Sequence, residues 1–283
     1  MRTRLFLLLS LLLFCACGSK DKEDKQTDKR TTLSEDTIFI GVEETLSALP
    51  FFYAEKYGEF QRQKLLCKVV VLPSQEDCSD AVLRGDIYAS LLDEPTYNEL
   101  NKKSEQLTAI LNTPNNWGIV SPTLLRLQSL KDLKGRIIAS KRNSNSENVA
   151  KELLALANLK DTDVAFPQIG NYATRLSMIE NNQVDATVLP EPYLTQALCK
   201  GAKLLSPQKS GLKKNTVLAL CTQRTSNTDR KNISALRLAY NAAIDSIAAK
   251  GKDCCIDILK DVYELNDTTI RRLVLPKFPK ASL

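Results

Sequence analysis

The sequence of 283 residues contains no histidine. Without an imidazole, nucleophilic sites of the Ser-His-Asp and Cys-His types are excluded. Any general base would have to be an Asp, Glu, Lys or Tyr side chain. A zinc site is not expected either, because the chain also lacks C-x-x-C spacing. We predict no metal, and we assign no cofactor and no catalytic residue.

Basic blocks are missing as well, although the formal net charge is +6. The Lys and Arg residues of the folded part are scattered, which gives no nucleic-acid footprint. The apolar run from Leu5 to Phe14 is short compared with the ~20 residues that span a bilayer. Because Arg2 and Arg4 precede this run, it predicts a secretory signal rather than a membrane helix.

The end of this run, FCACGS, resembles a bacterial lipoprotein signal. In that signal the cysteine after a small residue is lipidated, and here Cys17 follows Ala16. A plain cleaved signal is the alternative, since Phe14 stands where the pattern usually has Leu. We predict a signal peptide over residues 1–16 and a lipid anchor, with palmitate, on Cys17. Residues 17–36 include the charge-rich run KDKEDKQTDKR, which predicts a solvated tether.

Six cysteines follow Cys17, an even number that permits disulfides in an oxidising compartment. Proximity along the chain suggests the pairs Cys67–Cys78 and Cys199–Cys221. Buried free thiols are an equal alternative, because pairing cannot be read from a sequence.

Strands and helices alternate along the body of the chain, which indicates an α/β fold with largely parallel sheets. The pattern also repeats: IYASLLDEPT, which begins at Ile87, matches VDATVLPEPY, which begins at Val184. IFIGV lies in the same way over GRIIA, and TDVAFP is predicted as a further strand. We predict two similar lobes, each a small sheet flanked by helices. Chance similarity of strand-turn-helix segments is the alternative.

The segment LTAILNTPNNWGIVS (107–121) lies between the two repeats. Its two apolar pieces flank a Pro-Asn-Asn break, which predicts a pair of crossing strands. Another apolar strand, NTVLALC (Asn215 to Cys221), comes late in the chain. We assign residues 37–113 to lobe 1, 114–206 to lobe 2, and 207–283 to a return to lobe 1 with C-terminal helices.

Three segments carry a family resemblance: ALPFFYAEKYGEF, SLKDLKGRIIAS and ENNQVDATVLPEPYLTQALCKGAKLL. They resemble periplasmic solute-binding proteins of the nitrate, sulfonate, taurine and thiamine-precursor type, over Ile38 to about Leu275. The resemblance implies a type II periplasmic binding protein fold, with two α/β lobes joined by two crossing strands. It also implies a small-molecule solute in the interlobe cleft and an ABC permease in the inner membrane as partner.

The expected function is therefore a lipid-anchored, monomeric, solute-binding component of an ABC importer, not an enzyme. It would face the periplasm of a bacterial cell envelope. One alternative is an enzyme on the same fold, of the menaquinone-route or thiamine-route type. The pyrimidine-making relatives, however, rely on a histidine that this chain lacks. The other alternative is a ligand sensor that works without a transporter.

The loop KRNSNSE before a helical pattern offers the first candidate ligand contacts. Ser144 and Glu147 fit an S-x-x-E capping box, so Ser144 is predicted chiefly to cap its own helix. The free N–H groups and the dipole of this helix start favour an anion. Asn143 and Asn145 add side-chain donors, and Ser144 stays a candidate beside them.

The matching loop of the first lobe offers the hydroxyl groups of Thr45 and Ser47. Asp93 follows the strand YASLL, where it is placed to meet a ligand amine. Its alternative role is the acidic first turn of a helix. Donors on one lobe and carboxylates on the other suit a small anionic or zwitterionic solute.

Three further candidates come from the second half of the repeat and from the segment 107–121 between the repeats. Tyr172 begins a helix behind Asn171, a plausible N-cap. Glu191 belongs to the Glu-Pro-Tyr segment, and its alternative role is packing. Trp117, the only tryptophan, lies on a crossing strand, where it would stack on a ligand or fill the core.

Overall fold

A computed structural model describes residues 37–103, 106–206 and 212–282. Within these segments, eight strands form one sheet. In chain order they are β1 (Ile38–Val42), β2 (Cys67–Val71), β3 (Ala89–Asp93), β4 (Leu107–Ser121), β5 (Ile138–Ala139), β6 (Ala186–Pro190), β7 (Lys203–Leu204) and β8 (Leu212–Cys221). The predicted signal segment, Cys17 and the tether lie outside the described residues.

Ten α-helices accompany the sheet in the same segments. They are α1 (Leu49–Lys56), α2 (Glu59–Arg62), α3 (Gln75–Arg84), α4 (Glu94–Lys103), α5 (Asn145–Leu156), α6 (Tyr172–Glu180), α7 (Tyr193–Cys199), α8 (Asn227–Lys250), α9 (Ile256–Asp261) and α10 (Asp267–Arg272). Several of these helices begin behind a residue whose side chain accepts a backbone N–H group of the first turn. Ser74 accepts the N–H of Asp77 at 3.2 Å before α3, and Asn171 accepts that of Thr174 at 2.8 Å before α6. No helix in the described part is long and apolar enough to cross a bilayer.

The strands lie in the order β2-β1-β3-β8-β4-β6-β5, and β7 pairs with β4. β1 pairs parallel with β2 and β3, and β5 pairs parallel with β6. β4 and β8 pair antiparallel from Leu107 opposite Cys221 to Trp117 opposite Leu212. These strands join a half built on β1–β3, called lobe 1 below, to a half built on β5–β7, called lobe 2. The predicted fold of two α/β lobes joined by crossing strands is confirmed.

Each lobe packs helices on both faces of its part of the sheet. In lobe 1, Leu218 and Leu220 of β8 pack with α1 and α8, whereas Val217 and Ala219 pack with α3. This alternation follows from the two-residue period of a strand. In lobe 2, α5 covers one face, and α6 and α7 cover the other. The polar ends of the strands are thereby left at the edge where the lobes meet.

All six cysteines within the described residues are free thiols, so both predicted disulfides are wrong. Cys67 lies in the core beside α1 and α8, whereas Cys78 lies in the core on the opposite face of the sheet. Cys199 belongs to α7 in lobe 2, while Cys221 ends β8, where its thiol donates to the carbonyl of Val82 at 2.9 Å. Closeness in sequence did not predict the pairing. The sheet separates Cys67 from Cys78, and Cys199 and Cys221 lie in different lobes.

The segment TDVAFP does not form the predicted strand. Isolated bridges join Ile137 to Ala165 and Ser140 to Gln168, with no continuous ladder between them. Pro167 lies in this stretch and has no N–H to donate, which removes one bond of the ladder.

Candidate functional site

Polar side chains from both lobes converge where β1 and β3 end and α6 begins. Together with parts of α3, β4 and β8 they enclose a cavity of about 10 Å³, which is room for one water-sized group. Its lining residues are Glu43, Thr45, Ser47, Gln75, Leu91, Asp93, Trp117, Tyr172 and Thr216. Open α/β sheets hold ligands outside the carboxyl ends of their strands. This cavity is therefore the candidate site.

Larger cavities open elsewhere on the described residues, but their chemistry differs. One of about 620 Å³ lies between α8 and the C-terminal segment, and it is lined by Ile244, Leu273 and Phe278 among others. Its walls are mostly apolar and belong to lobe 1 alone. Cavities of about 360 and 560 Å³ also lie between the lobes, beside Lys141 and beside Glu264, but exposed or half-buried residues line most of each. The small cavity is lined by buried residues, and its polar groups come from both lobes.

Glu43 follows the end of β1 and is 6% exposed. Its Oε2 accepts hydrogen bonds from Gln75 Nε2 at 2.5 Å and from the Tyr172 hydroxyl at 3.3 Å. Its Oε1 is buried and has no hydrogen-bond partner among the described residues. Burial and the charge of Asp93 raise the pKa of Glu43 to about 8, against the opposing effects of Gln75, Arg175 and Tyr172.

Asp93 ends β3 and is 1% exposed. Its carboxylate accepts the backbone N–H of Asn145 at 2.8 Å and the side-chain amide of Asn145 at 3.0 Å. Because Asn145 is the first residue of α5, the anion at this helix start is a carboxylate of the chain itself. Burial raises the pKa of Asp93 to about 6, although Asn145 and Arg175 act in the opposite direction.

The loop before α5 is held by its own hydrogen bonds. Ser144 Oγ accepts the backbone N–H of Ser146 at 3.1 Å and donates to a loop carbonyl at 2.6 Å, so it caps the helix. Glu147 accepts the N–H of Asn143 at 2.8 Å instead of closing a box on Ser144. Asn143 has a left-handed backbone with φ 55°, and its carbonyl accepts the Thr96 hydroxyl of lobe 1 at 2.9 Å.

Trp117 of β4 and Tyr172 of α6 form the aromatic wall of the cavity, with ring centroids 5.8 Å apart. Trp117 is 1% exposed, and its Nε1 finds no hydrogen-bond partner in the described part of the chain. Behind Tyr172, the Arg175 guanidinium lies 5.1 Å from the ring centroid. It donates to the carbonyls of Ile169 at 2.6 Å and Val188 at 3.0 Å. Burial lowers the pKa of Arg175, but a guanidinium keeps its proton in proteins.

Contacts between the lobes close the cleft around the cavity. Besides the contacts that Glu43 and Asp93 make, the Asn171 amide donates to the carbonyl of Pro73 at 3.1 Å. Lys141 of lobe 2 forms an ion pair with Glu76 of lobe 1. A solute larger than a water molecule can therefore enter only when the lobes separate.

The sequence profile of NMT1/THI5-like proteins matches residues 46–253, which is most of the chain. The chain belongs to the NMT1/THI5-like family. No curated protein matches the sequence of this family member.

Solved structures with the same fold include three binding proteins. The alkanesulfonate-binding protein SsuA from Xanthomonas axonopodis pv. citri, bound to MOPS, has a TM-score of 0.73 and 18% identity over 87% of this chain and 86% of that one. SsuA from Escherichia coli, an aliphatic sulphonate-binding protein, has a TM-score of 0.67 and 17% identity over 88% and 81%. The nitrate-binding protein NrtA from Synechocystis PCC 6803 has a TM-score of 0.70 and 13% identity over 83% and 68%. The NMT1/THI5-like chain thus has the fold of periplasmic binding proteins of ABC importers.

Five of the predicted ligand contacts line the cavity of this NMT1/THI5-like protein: Thr45, Ser47, Asp93, Trp117 and Tyr172. The two hydroxyl groups of the first-lobe loop are hydrogen-bonded to each other at 2.7 Å. The five side chains come from β3, β4, α6 and the segment after β1, and their convergence agrees with a shared site. A role in solute binding stays a prediction for each of them.

The other predicted contacts lie beside the cavity and have partners of their own. Asn145 is bound to Asp93, and Ser144 and Asn143 hold the loop before α5, as described above. Glu191 accepts the N–H of Thr195 at 3.1 Å and its hydroxyl at 2.9 Å, so its carboxylate lies at the start of α7. Burial raises the pKa of Glu191 to about 7. Ligand contact by these residues also stays a prediction.

The sequence reasoning missed Glu43, Gln75, Thr216 and Arg175. Glu43 had a usable signal, because it follows the strand IFIGV as Asp93 follows its own strand. Gln75 opens α3 and Thr216 lies within β8, and neither position stands out in the sequence. Arg175 looks like an ordinary exposed cation of a helix, and only its bonds to the carbonyls of Ile169 before α6 and Val188 after it reveal its burial.

Proposed function

We propose that this protein is the lipid-anchored solute-binding component of an ABC importer. It captures a small solute between its lobes and presents the closed form to a permease in the inner membrane. In this proposal it acts as a monomer that faces the periplasm, and it performs no catalysis. The shared fold with SsuA and NrtA, whose names state sulfonate and nitrate binding, supports a binding role.

The observation that carries this proposal is a pair of unpaired polar groups inside the cleft. Glu43 Oε1 is an acceptor and Trp117 Nε1 is a donor, and neither has a partner among the described residues. An unpaired buried group of this kind costs about 1–3 kcal/mol. A solute that pairs with both groups when the lobes close therefore gains affinity from each.

Between an anionic and a zwitterionic solute, the geometry favours the zwitterion. The donors at the start of α5, which suit an anion, already face Asp93. An unpaired carboxyl oxygen and an unpaired indole N–H call for a solute with both a donor and an acceptor. MOPS, which is bound to SsuA of Xanthomonas, is itself a sulfonate that carries an amine.

Solute binding is tested on the full chain, purified from bacterial membranes in mild detergent. We expect thermal unfolding to shift upward by several degrees with β-alanine or 2-aminoethanesulfonate, as for any ligand that binds the folded state. Propionate, ethanesulfonate and nitrate, which lack the amine, serve as matched comparisons and should act more weakly. If no solute of either set stabilises the protein and no ABC permease co-purifies with it, the importer proposal is wrong.

Lipid anchoring makes a separate prediction about Cys17. Replacing Cys17→Ser should abolish labelling by an alkyne analogue of palmitate and should release the protein from the membrane fraction. The neighbouring Cys15→Ser variant is the matched control, because it leaves the lipidation position intact, and it should label as the wild type does. Labelling that survives in Cys17→Ser would place the lipid on another residue, whereas a wild type that does not label would indicate a plain signal peptide.

A further inference from the structure

The cavity encloses an unbalanced set of charges. Two carboxyl groups line it, Glu43 and Asp93, and both are buried. The nearby cation is Arg175, whose nitrogens donate to backbone carbonyls and which forms no ion pair with a carboxylate in the part of the chain that the structure describes. One cation thus stands near two acids. The buried site is neutral only when one of the acids keeps its proton or when a second cation arrives.

Glu43 is the acid that keeps its proton. Asn145 donates to both oxygens of Asp93, whereas the two donors of Glu43, Gln75 and Tyr172, both reach Oε2 and leave Oε1 without a partner among the described residues.

The titratable groups that face Glu43 come from four elements, one of which is α7 with Tyr193. Asp93 lies on β3, and Cys78 lies on α3. Tyr172 and Arg175 lie on α6. Their balance with burial raises the pKa of Glu43 to about 8, so the carboxyl group is protonated at neutral pH in the solute-free protein.

We infer, building on the proposed function, that the cavity is a cation subsite in which an ammonium group of the solute replaces the proton of Glu43. The O–H bond of the Glu43 carboxyl breaks, its proton passes to solvent, and an N–H of the ammonium group donates to Oε1. Two carboxylates then face two cations, so the closed site stays neutral.

The surroundings of the subsite suit an ammonium group in two further ways. The rings of Trp117 and Tyr172 form its wall, and aromatic faces attract cations. The free volume of about 10 Å³ accepts one water-sized group, and an ammonium ion has about this size. The ammonium ion is therefore a direct probe of the subsite, whatever the remainder of the solute is.

The first test compares ammonium with sodium on the full chain. At about 0.2 M and neutral pH, ammonium chloride should raise the midpoint of thermal unfolding by several degrees above sodium chloride at equal ionic strength. The difference should vanish in Glu43→Gln, which keeps an amide of the same shape but cannot ionise. Equal midpoints in the two salts, or an ammonium effect that persists in Glu43→Gln, would overturn the subsite.

The second test measures the displaced proton directly. Adding ammonium chloride to weakly buffered protein near neutral pH should release close to one proton per bound ammonium ion, as an indicator dye reports. Glu180→Gln is the matched control, because Glu180 lies at the surface of lobe 2, where it pairs with Lys200, and does not line the cavity. Proton release should persist in this variant and disappear in Glu43→Gln. Release that persists in Glu43→Gln, or no release at all, contradicts the exchange.

The outcomes separate this inference from the proposed function. Binding of nitrate or propionate without any ammonium effect would leave the binding function in place and remove the cation subsite. An ammonium effect without binding of any solute from the panel would keep the subsite and count against the importer.

Discussion

Raising the pH from about 5 to about 8 will lower the free energy of unfolding of the solute-free protein, on the order of 3 kcal/mol through Glu43. The ordinary pKa of this carboxyl is 4.5, and in the folded protein burial and Asp93 raise it to about 8. The folded state therefore binds the proton more tightly than the unfolded chain. The resulting stability is fully present below pH 4.5 and is lost as the pH rises through the folded value. Urea unfolding at several pH values measures it.

A matched pair of variants separates Glu43 from other carboxyl groups. Glu43→Gln should reduce the loss of stability by about this amount, because an amide does not titrate, and should leave the part that the raised pKa values of Asp93 and Glu191 contribute. Glu180→Gln, at the surface of lobe 2 where the side chain pairs with Lys200 at 2.7 Å, should keep the wild-type dependence. The explanation is wrong if Glu43→Gln loses stability with rising pH as steeply as the wild type does.

Replacing Arg175→Met will destabilise the protein by about 3–6 kcal/mol, because it removes two hydrogen bonds from a charged donor, each worth about 1.5–3 kcal/mol. The guanidinium holds the carbonyls of Ile169 and Val188, which come from opposite sides of α6 in the sequence. Without it, both carbonyls lose this donor, and buried Asp93 loses its nearby cation. Methionine keeps much of the volume, so the loss reports the polar contacts more than a cavity. Urea unfolding near neutral pH measures the change.

Arg136→Met is the control for this replacement. Arg136 pairs with Asp185 at 3.4 Å and its side chain is 42% exposed, so its loss should cost less than about 1 kcal/mol. The loss of stability in Arg175→Lys should lie between the losses in Arg136→Met and Arg175→Met. A single ammonium group keeps the charge but cannot reproduce the fixed fork of the guanidinium. Equal stabilities of Arg175→Met and Arg136→Met would show that the buried guanidinium contributes nothing special.

The fold was predictable because its signals are local. The repeat that begins at Ile87 and Val184 lies on β3, which ends at the cavity, and on β6. Asp93 was found for the same reason, since it ends a strand that reads clearly. The disulfides failed because Cys67 and Cys78 lie on opposite faces of the sheet. A short distance along the chain does not reveal which face a side chain joins.

The charge balance of the site was not predictable, because it depends on burial. Glu43 and Arg175 look like surface residues in the sequence, but both are buried, and Glu43 lies against Gln75 and against Tyr172 of the other lobe. The donors before α5 were predicted to meet a foreign anion, whereas Asp93 of the other lobe already meets them. Only the closed arrangement of the two lobes shows that the cleft presents acids as well as donors to a solute.

The long pairing of β4 with β8 has a mechanical consequence. From Leu107 to Trp117 the two strands run side by side as a hydrogen-bonded ribbon through both lobes. Sliding the lobes past each other would break its rungs one after another, whereas flexing the ribbon breaks none. The joint between the lobes therefore bends more readily than it slides. A partner that contacts one point on each lobe can therefore distinguish the open form from the closed form by the distance between these two points.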